Sequence, residues 1–295
     1  LYAKNGYELV IPSLLEYADS LNAFGKDLDL DTFKVVDQLS GKMMGVSSDL
    51  TTQTSRIDSQ LMQEGALNKL CYAGPVLRAN TSLTQSRELY QVGIEYFGNS
   101  DIAADIEVQT ILINSLKLLN IKDIDIVIHC LGGGLGYRDP LIKLKNFIDL
   151  FLINLGVASE INNRIIKSLT PKSSYIIHIG STASSEAIGS VGYNSVKAAV
   201  VAYVKSLATN LIKNKIFVSC ILPGAFIAPG NAFERLKLNN NKAYLDFKNN
   251  RLPRKRVSKA SELMPLLNLL TSKKGEMLAG SSITIDACET KAYNL

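Results

Sequence analysis

The rhythm of apolar and polar positions changes near residue 125. After it, short apolar runs alternate with longer stretches of helical spacing. "DIVIH" (125–129) holds Ile126, Val127 and Ile128 and runs into Gly132, Gly133 and Gly134. A run this short, stopped by glycines, predicts a buried strand. Residues 141–170 carry helical spacing. "SSYIIHIGS" predicts a second buried strand, ending at Gly180, and "GYNSVKAAVVAYVKSLATNLI" a helix with no breaker after Gly192. "KIFVSCILPG" predicts a third strand ending at Pro223 and Gly224. A helix near 259–271 and a strand at "SSITID" follow. Strands alternating with helices predict a parallel sheet covered by helices.

Function collects at the carboxyl ends of such strands. Those ends carry Gly132 to Gly134, Ser181, and Pro223 with Gly224. Tyr193 and Lys197 lie four apart on a predicted helix and share a face. A free phenol, with a pKa near ~10, is a poor base at neutral pH. A nearby lysine cation favours the phenolate and is expected to lower that pKa. A tyrosine tuned in this way can exchange a proton with a carbonyl or alcohol oxygen. Taken alone, a Tyr-x-x-x-Lys spacing is also what a helix surface produces by chance.

The spacing is not alone. Ser181 ends the preceding strand, Asn154 lies in the long helical segment, and "LPG" follows the next strand. Together these resemble the short-chain dehydrogenase/reductase family from Asp125 to the end of the chain. The resemblance implies strands four to seven of a Rossmann-type parallel sheet and an NAD or NADP cofactor. It implies a catalytic tetrad of Tyr193 as acid/base, Lys197 tuning it and holding the nicotinamide ribose, Ser181 on the substrate oxygen, and Asn154 holding a relay water. Gly132, Lys197, Pro223 and Gly224 are the implied cofactor contacts. The substrate implied is a small carbonyl/alcohol pair. "HCLGGGLG" and "IGSTAS" look most like reductases of nucleotide-linked or surface sugars. Three departures stand out. The family's Asn-Asn-Ala-Gly reads His129 to Gly132, its threonine after Pro-Gly reads Ala228, and its Asp-Gly-Gly reads Asp286 to Cys288. His129 is expected to be a hydrogen-bonded strand-end residue and His178 a structural one.

In that family a Gly-x-x-x-Gly-x-Gly turn after the first strand binds the pyrophosphate through backbone amides and a helix N-terminus. The nearest candidate is "VVDQLSGKMMGVS", where Gly41 and Gly45 fit and Ser47 replaces the third glycine. No second strand ending in a ribose-binding residue follows it. Instead "TFKVVDQ" and "ELYQVGIEYFG" alternate polar with apolar residues and predict strands. Gln91 and Glu95 then project from one face. "DIAADIEVQTILINSLKLLNI" predicts an amphipathic helix.

"GYELVIPSLLEYADSL", "FKVVDQLSGKMMGVSSDLTTQTSRID", "LCYAGPVLR" and "SRELYQVGIEYFG" resemble, in order, the first two motifs of class II aminoacyl-tRNA synthetase folds. The closest resemblance is to the histidyl-tRNA synthetase-like regulatory subunit of ATP phosphoribosyltransferase, a protein of histidine biosynthesis. It implies a mixed, largely antiparallel sheet and an amino-acid pocket of Asp49, Thr51, Gln91 and Glu95, with Arg78 as the anion-binding arginine. It also implies the catalytic phosphoribosyltransferase subunit as partner. The third motif and the remainder of such a subunit are absent.

The two resemblances meet inside "DIDI" (123–126), with no Pro/Gly/Ser linker, although natural fusions usually join whole domains through exposed linkers. The expected division is 1–124 and 125–295. A recombination or sequence-assembly join, a deliberate chimera and an unfamiliar natural fusion all remain open. So do three functions: an impaired oxidoreductase, a regulatory subunit, and a chain with neither activity.

Composition changes little in this picture. Hydrophobic content of 46% is ordinary for a globular protein, and the net charge of +5 is mild. The basic run "RLPRKR" (251–256) offers phosphate contacts or a solvated loop, and without interleaved aromatics it does not point to nucleic acid. Cys71, Cys130, Cys220 and Cys288 show no metal-binding spacing, which argues against zinc and for a reducing, cytoplasmic setting. No apolar run reaches the ~18 residues of a membrane span. The chain opens at Leu1 without a methionine or signal peptide, as a fragment or a trimmed chain would.

Overall fold

A computed structural model of the chain describes residues 1–21, 31–63, 65–79, 86–120, 123–228 and 230–292. It divides into two units, Leu1–Ser115 and Leu116–Leu295. The Ile121–Lys122 step before "DIDI" falls outside the described residues.

The first unit contains β1 (Glu8–Leu9), β2 (Leu15–Tyr17), β3 (Lys34–Val36), β4 (Met43–Val46), α1 (Leu50–Leu61), β5 (Asn68–Leu77) and β6 (Glu88–Phe97), followed by α2 (Ile102–Leu118). β5 and β6 pair antiparallel along all ten residues, from Asn68↔Phe97 to Leu77↔Glu88. β1 joins β5 in parallel, and β2, β4 and β3 form a separate antiparallel sheet. This is the mixed, largely antiparallel architecture expected of a class II synthetase-like fragment. Asp49 caps α1 by accepting from the Thr51 amide at 2.7 Å. Leu50 then packs with Tyr72 and Val76 of β5 in a core completed by Val10 and Leu89.

Gly41 settles the question of the phosphate-binding turn. It sits at φ +68° in the tight connection between β3 and β4, where its amide donates to the Asp37 carbonyl at 2.8 Å. The Asp37 carboxylate closes the turn by accepting from the Ser40 amide at 3.1 Å. Gly45 lies within β4, and the buried Ser47 hydroxyl donates to Gln53 Oε1 at 2.6 Å. The segment is an antiparallel hairpin, not a strand-to-helix phosphate turn.

The second unit is built on β7 (Ile126–His129), β8 (Ser174–Ile179), β9 (Ile216–Pro223) and β12 (Ser282–Ile285), all parallel, in the order β12-β9-β8-β7. Two short strands between them, β10 (Phe226–Ile227) and β11 (Ser258–Lys259), pair with each other. The helices are α3 (Leu144–Phe151), α4 (Val157–Ile165), α5 (Val191–Leu211), α6 (Ala232–Asn239), α7 (Asn241–Asn250) and α8 (Met264–Leu270). Ile177 and Ile221 pack with Leu270, while Val196, Val200 and Val204 of α5 are fully buried. β7 is an edge strand among the described residues. Ile126 and Ile128 keep 45% and 41% of their surface exposed, where the central strands β8 and β9 bury nearly everything.

Helices α6 and α7, which apolar spacing does not announce, are started by side-chain caps from Asn231 and Asn240. They bury Tyr244 against Ala225, Leu252 and Val257. The basic run 251–256 is a largely solvent-exposed turn at Pro253–Arg256 whose arginines are paired: Arg254 and Arg256 both bind Glu262, and Arg251 lies 3.5 Å from Glu289.

Candidate active site

The parallel sheet brings its functional candidates to one edge. β7 leads into Gly132, β8 into Ser181, and β9 ends at Pro223 before Gly224. Helix α5 starts where the Ser190 hydroxyl accepts from the Tyr193 amide at 3.4 Å, so Tyr193 lies in its first turn and Lys197 one turn on. The Lys197 ammonium lies 5.7 Å from the centre of the Tyr193 ring. It donates to the Ile179 carbonyl, at 3.4 Å.

Asn154 reaches the same place by a local distortion. Helices α3 and α4 are joined through a wider turn of π type, Leu152–Gly156, with Asn154 buried at its centre. Such turns are rare and gather at functional sites. The Asn154 amide group donates to the Leu150 and Gly133 carbonyls, each at 2.9 Å, and its oxygen accepts from the Gly133 amide at 3.1 Å. Asn154 therefore pins the glycine loop. Gly132, at φ +152°, leaves room over the pair: a Cβ there would come within 2.7 Å of Asn154 Oδ1 and 3.1 Å of Lys197 Nζ.

Burial sets the electrostatics. Lys197 is pushed down to about 8, because a buried ammonium loses its hydration. Tyr193 differs from the sequence-based expectation. Burial raises its pKa, and a hydrogen bond with the Ser181 side chain draws it back part-way. Desolvation thus outweighs the Ser181 hydrogen bond, and the phenol is not lowered as expected. Lys197, Tyr193 and Ser181 do converge, with Asn154 beside Lys197.

Lys197 supplies a stability test. Its folded pKa is depressed, so the charged form is disfavoured in the folded state. Stability is lowest below pH 8 and rises as pH climbs from 8 towards the unfolded value. Lys197→Met is expected to stabilise the protein at pH 7 by roughly 2–4 kcal/mol and to remove the rise between pH 8 and 10, read by urea denaturation at several pH values.

In the first unit, four of the five pocket candidates form one hydrogen-bonded group. Gln91 accepts from the Leu50 amide at 2.8 Å and donates to Asp49 at 3.2 Å. Thr51 contacts the Tyr72 hydroxyl at 2.9 Å, which donates to Glu95 at 3.2 Å. Arg78 approaches the Asp49 end by donating to the Ser48 carbonyl at 3.4 Å. Tyr72, at the centre of the group, is not singled out by the sequence; its signal was an aromatic in the β5 run "LCYAGPVL". Burial pushes its phenol up to about 12 and raises the Glu95 carboxyl. Gly93 is required here, because a Cβ would collide with the Tyr72 ring. Gly93→Ala is expected to cost about 1–3 kcal/mol. Adding Tyr72→Ala should make the double change cost less than the sum, as a thermal-melt mutant cycle reads directly.

The parallel sheet has a Rossmann-type fold, and solved structures similar to the chain share it. A short chain dehydrogenase family protein from Francisella tularensis matches with a TM-score of 0.54 and 20% identity, covering 62% of this chain and 76% of that one. L-sorbose reductase from Gluconobacter frateurii, complexed with NADPH and L-sorbose, matches with a TM-score of 0.57 and 21% identity, covering 64% and 74%.

Sequence likeness points elsewhere. Residues 1–132 match the histidyl-tRNA synthetase family model. The ATP phosphoribosyltransferase regulatory subunit of Thiobacillus denitrificans is 42% identical over 134 residues, 45% of this chain and 42% of that protein. That of Azoarcus sp. is 40% identical over 177 residues, 55% of this chain and 46% of that protein. The chain spans less than half the length of these relatives. It is chimeric in its likenesses: regulatory subunit in sequence at the start, short-chain dehydrogenase in fold thereafter. Neither alignment length marks residue 124 as the boundary. No helix among the described residues is long and apolar enough to cross a membrane.

Proposed function

We propose that residues 125–295 carry the proton-transfer half of an NAD(P)-dependent oxidoreductase for a carbonyl/alcohol pair, weakened because the described residues include no glycine-rich strand-to-helix turn for the pyrophosphate. One observation carries the reading: the buried Lys197 ammonium lies near Tyr193 and Gly132 and donates to the Ile179 carbonyl. Its remaining N–H donors suit the vicinal hydroxyls of a nicotinamide ribose, and Gly132 leaves the space for one. The loop at Pro223 and Gly224 suits the carboxamide end. A bound nicotinamide supplies or accepts the hydride. Tyr193 passes the proton to or from the substrate oxygen, and Ser181, hydrogen-bonded to the phenol, orients that oxygen. Lys197 stays mostly protonated at pH 7, and its charge stabilises the phenolate left after transfer. Asn154 holds the 132–134 loop and keeps an oxygen lone pair for a relay water. Sugar-linked carbonyls are the favoured substrate class, supported by the L-sorbose named for one structural neighbour. The test is reduction of L-sorbose and small ketones at millimolar NADPH or NADH. Slow turnover that falls at least ~100-fold in Tyr193→Phe supports the reading. Turnover indifferent to that change sinks it.

A second reading belongs to the first unit, favoured by the linked Asp49, Thr51, Tyr72, Gln91 and Glu95. The acidic pair suits the ammonium of an amino acid, histidine by resemblance, and the relatives' name supplies a catalytic phosphoribosyltransferase subunit as partner. Titration with histidine, and co-purification with that subunit, separate this reading from the first. Failure of every titration favours a chain with neither activity.

A further inference from the structure

We propose that Glu289 is a positioning residue for the Tyr193 site, the bolt of an ionic latch that holds the Gly224–Ala225 turn and, through Arg251, the loop carrying Glu186. Its functional meaning rests on the oxidoreductase reading; its geometry does not. After β12 the chain makes a tight hook. Asp286 accepts from the Cys288 amide at 3.0 Å and from the Thr290 amide at 2.8 Å. Ala287 and Cys288 take left-handed φ values of 53° and 65°, which residues with a side chain rarely adopt. The hook delivers the Glu289 carboxylate into the interior, its side chain only 5% exposed. There one oxygen accepts from the Ala225 amide at 2.5 Å and the other lies 3.5 Å from Arg251 Nε. Gly224 has no room for a Cβ, which would come within 2.5 Å of that carboxylate, so the turn and the hook are fitted to each other.

Arg251 extends the latch. Its guanidinium also lies 4.0 Å from Glu186, whose buried Oε2 has no hydrogen bond. Glu186 belongs to the loop between Ser181 and the start of α5. The latch thus ties the turn that follows β9 to the loop that follows β8 and leads into Tyr193. The charged groups facing Glu289 are Arg251 from the end of α7, Glu186 from that loop and Asp286 from the hook. Arg254 and Arg256 line the same cleft and are held by Glu262. Burial raises the Glu289 carboxyl, while the Ala225 amide and Arg251 draw it back down.

Amide hydrogen exchange on the full chain tests this without any cofactor. Glu289→Ala is expected to speed exchange in 223–228 and 182–190 by about tenfold, leaving β8 and β9 unchanged. Glu289→Gln keeps an acceptor for the Ala225 amide and loses the charge facing Arg251. It is expected to restore protection at 223–228 and not at 182–190. Arg251→Ala should loosen 182–190 alone. If Glu289→Ala fails to fold, the other two variants carry the test. Unchanged exchange in both loops for Glu289→Gln and Arg251→Ala overturns the latch, as does equal loosening of both loops in Glu289→Gln, which marks a packing role only. Weak or absent dinucleotide binding touches the oxidoreductase reading and leaves the latch standing.

Discussion

Titration calorimetry with NADH or NADPH is expected to return dissociation constants about three orders of magnitude weaker than those of a complete dinucleotide fold. On the proposed reading, Lys197 and the loop at Pro223–Gly224 serve the nicotinamide end. Among them, no glycine-rich strand-to-helix turn faces a pyrophosphate, since Gly41 closes an antiparallel hairpin. The parallel sheet ends at β7, where a further strand would pair. Charge-assisted hydrogen bonds to phosphate contribute roughly 1.5–3 kcal/mol each. Losing two or three removes several kcal/mol, and each ~1.4 kcal/mol is tenfold in affinity. Micromolar binding that disappears in Lys197→Ala would place a working phosphate site in the first unit.

The second large effect is on acid stability. His129 and His178 are register partners on β7 and β8, their rings 4.6 Å apart, and Cys220 of β9 continues the row. His129 bonds Asn162 at 2.8 Å, whereas the buried His178 Nε2 has no partner. Burial first, then the charges of His129 and Lys197, push His178 down to about 3. The unfolded chain therefore takes up a proton that the folded chain refuses between pH 6.5 and 3, and stability falls with pH across that window. By pH 4.5 the loss from His178 alone is about 3 kcal/mol, or roughly 6–12 °C in melting temperature for a unit of this size. Glu289, with its raised carboxyl, acts in the opposite sense, so the comparison of variants is what reads His178. His178→Leu should flatten the acid limb of the melting-temperature profile. An unchanged limb would mean that the pair is hydrated or opens locally.

Much of the second unit is legible in the sequence because its signals are local. The apolar runs of β7, β8, β9 and β12 end at glycine, proline or a polar residue, and α5 carries apolar spacing through more than twenty residues. Ser181, Tyr193 and Lys197 follow from those elements alone. What sequence does not disclose depends on partners far away in the chain. The π turn presenting Asn154 reflects how two helices meet the glycine loop, not the propensity of "LINLG". The histidine row exists only through strand register. Glu289 reads as one acidic residue in a polar tail until the hook places it on Ala225. The pKa of Tyr193 departs from the sequence-based expectation because burial, a property of the whole unit, raises it. In the first unit the alternation of β5 and β6 is plain, but Tyr72 becomes central only when α1 packs over it.

The claim that this chain keeps the nicotinamide side of a cofactor site without its phosphate side is tested most directly by comparing NADH with reduced nicotinamide mononucleotide. In a complete site the adenosine half adds several kcal/mol, and NADH binds far more tightly than the mononucleotide. Here calorimetry should find the two within about threefold of each other, both weak, and both lost in Lys197→Ala. NADH binding a hundredfold or more tighter than the mononucleotide would contradict the account, because an adenosine and pyrophosphate site would then exist.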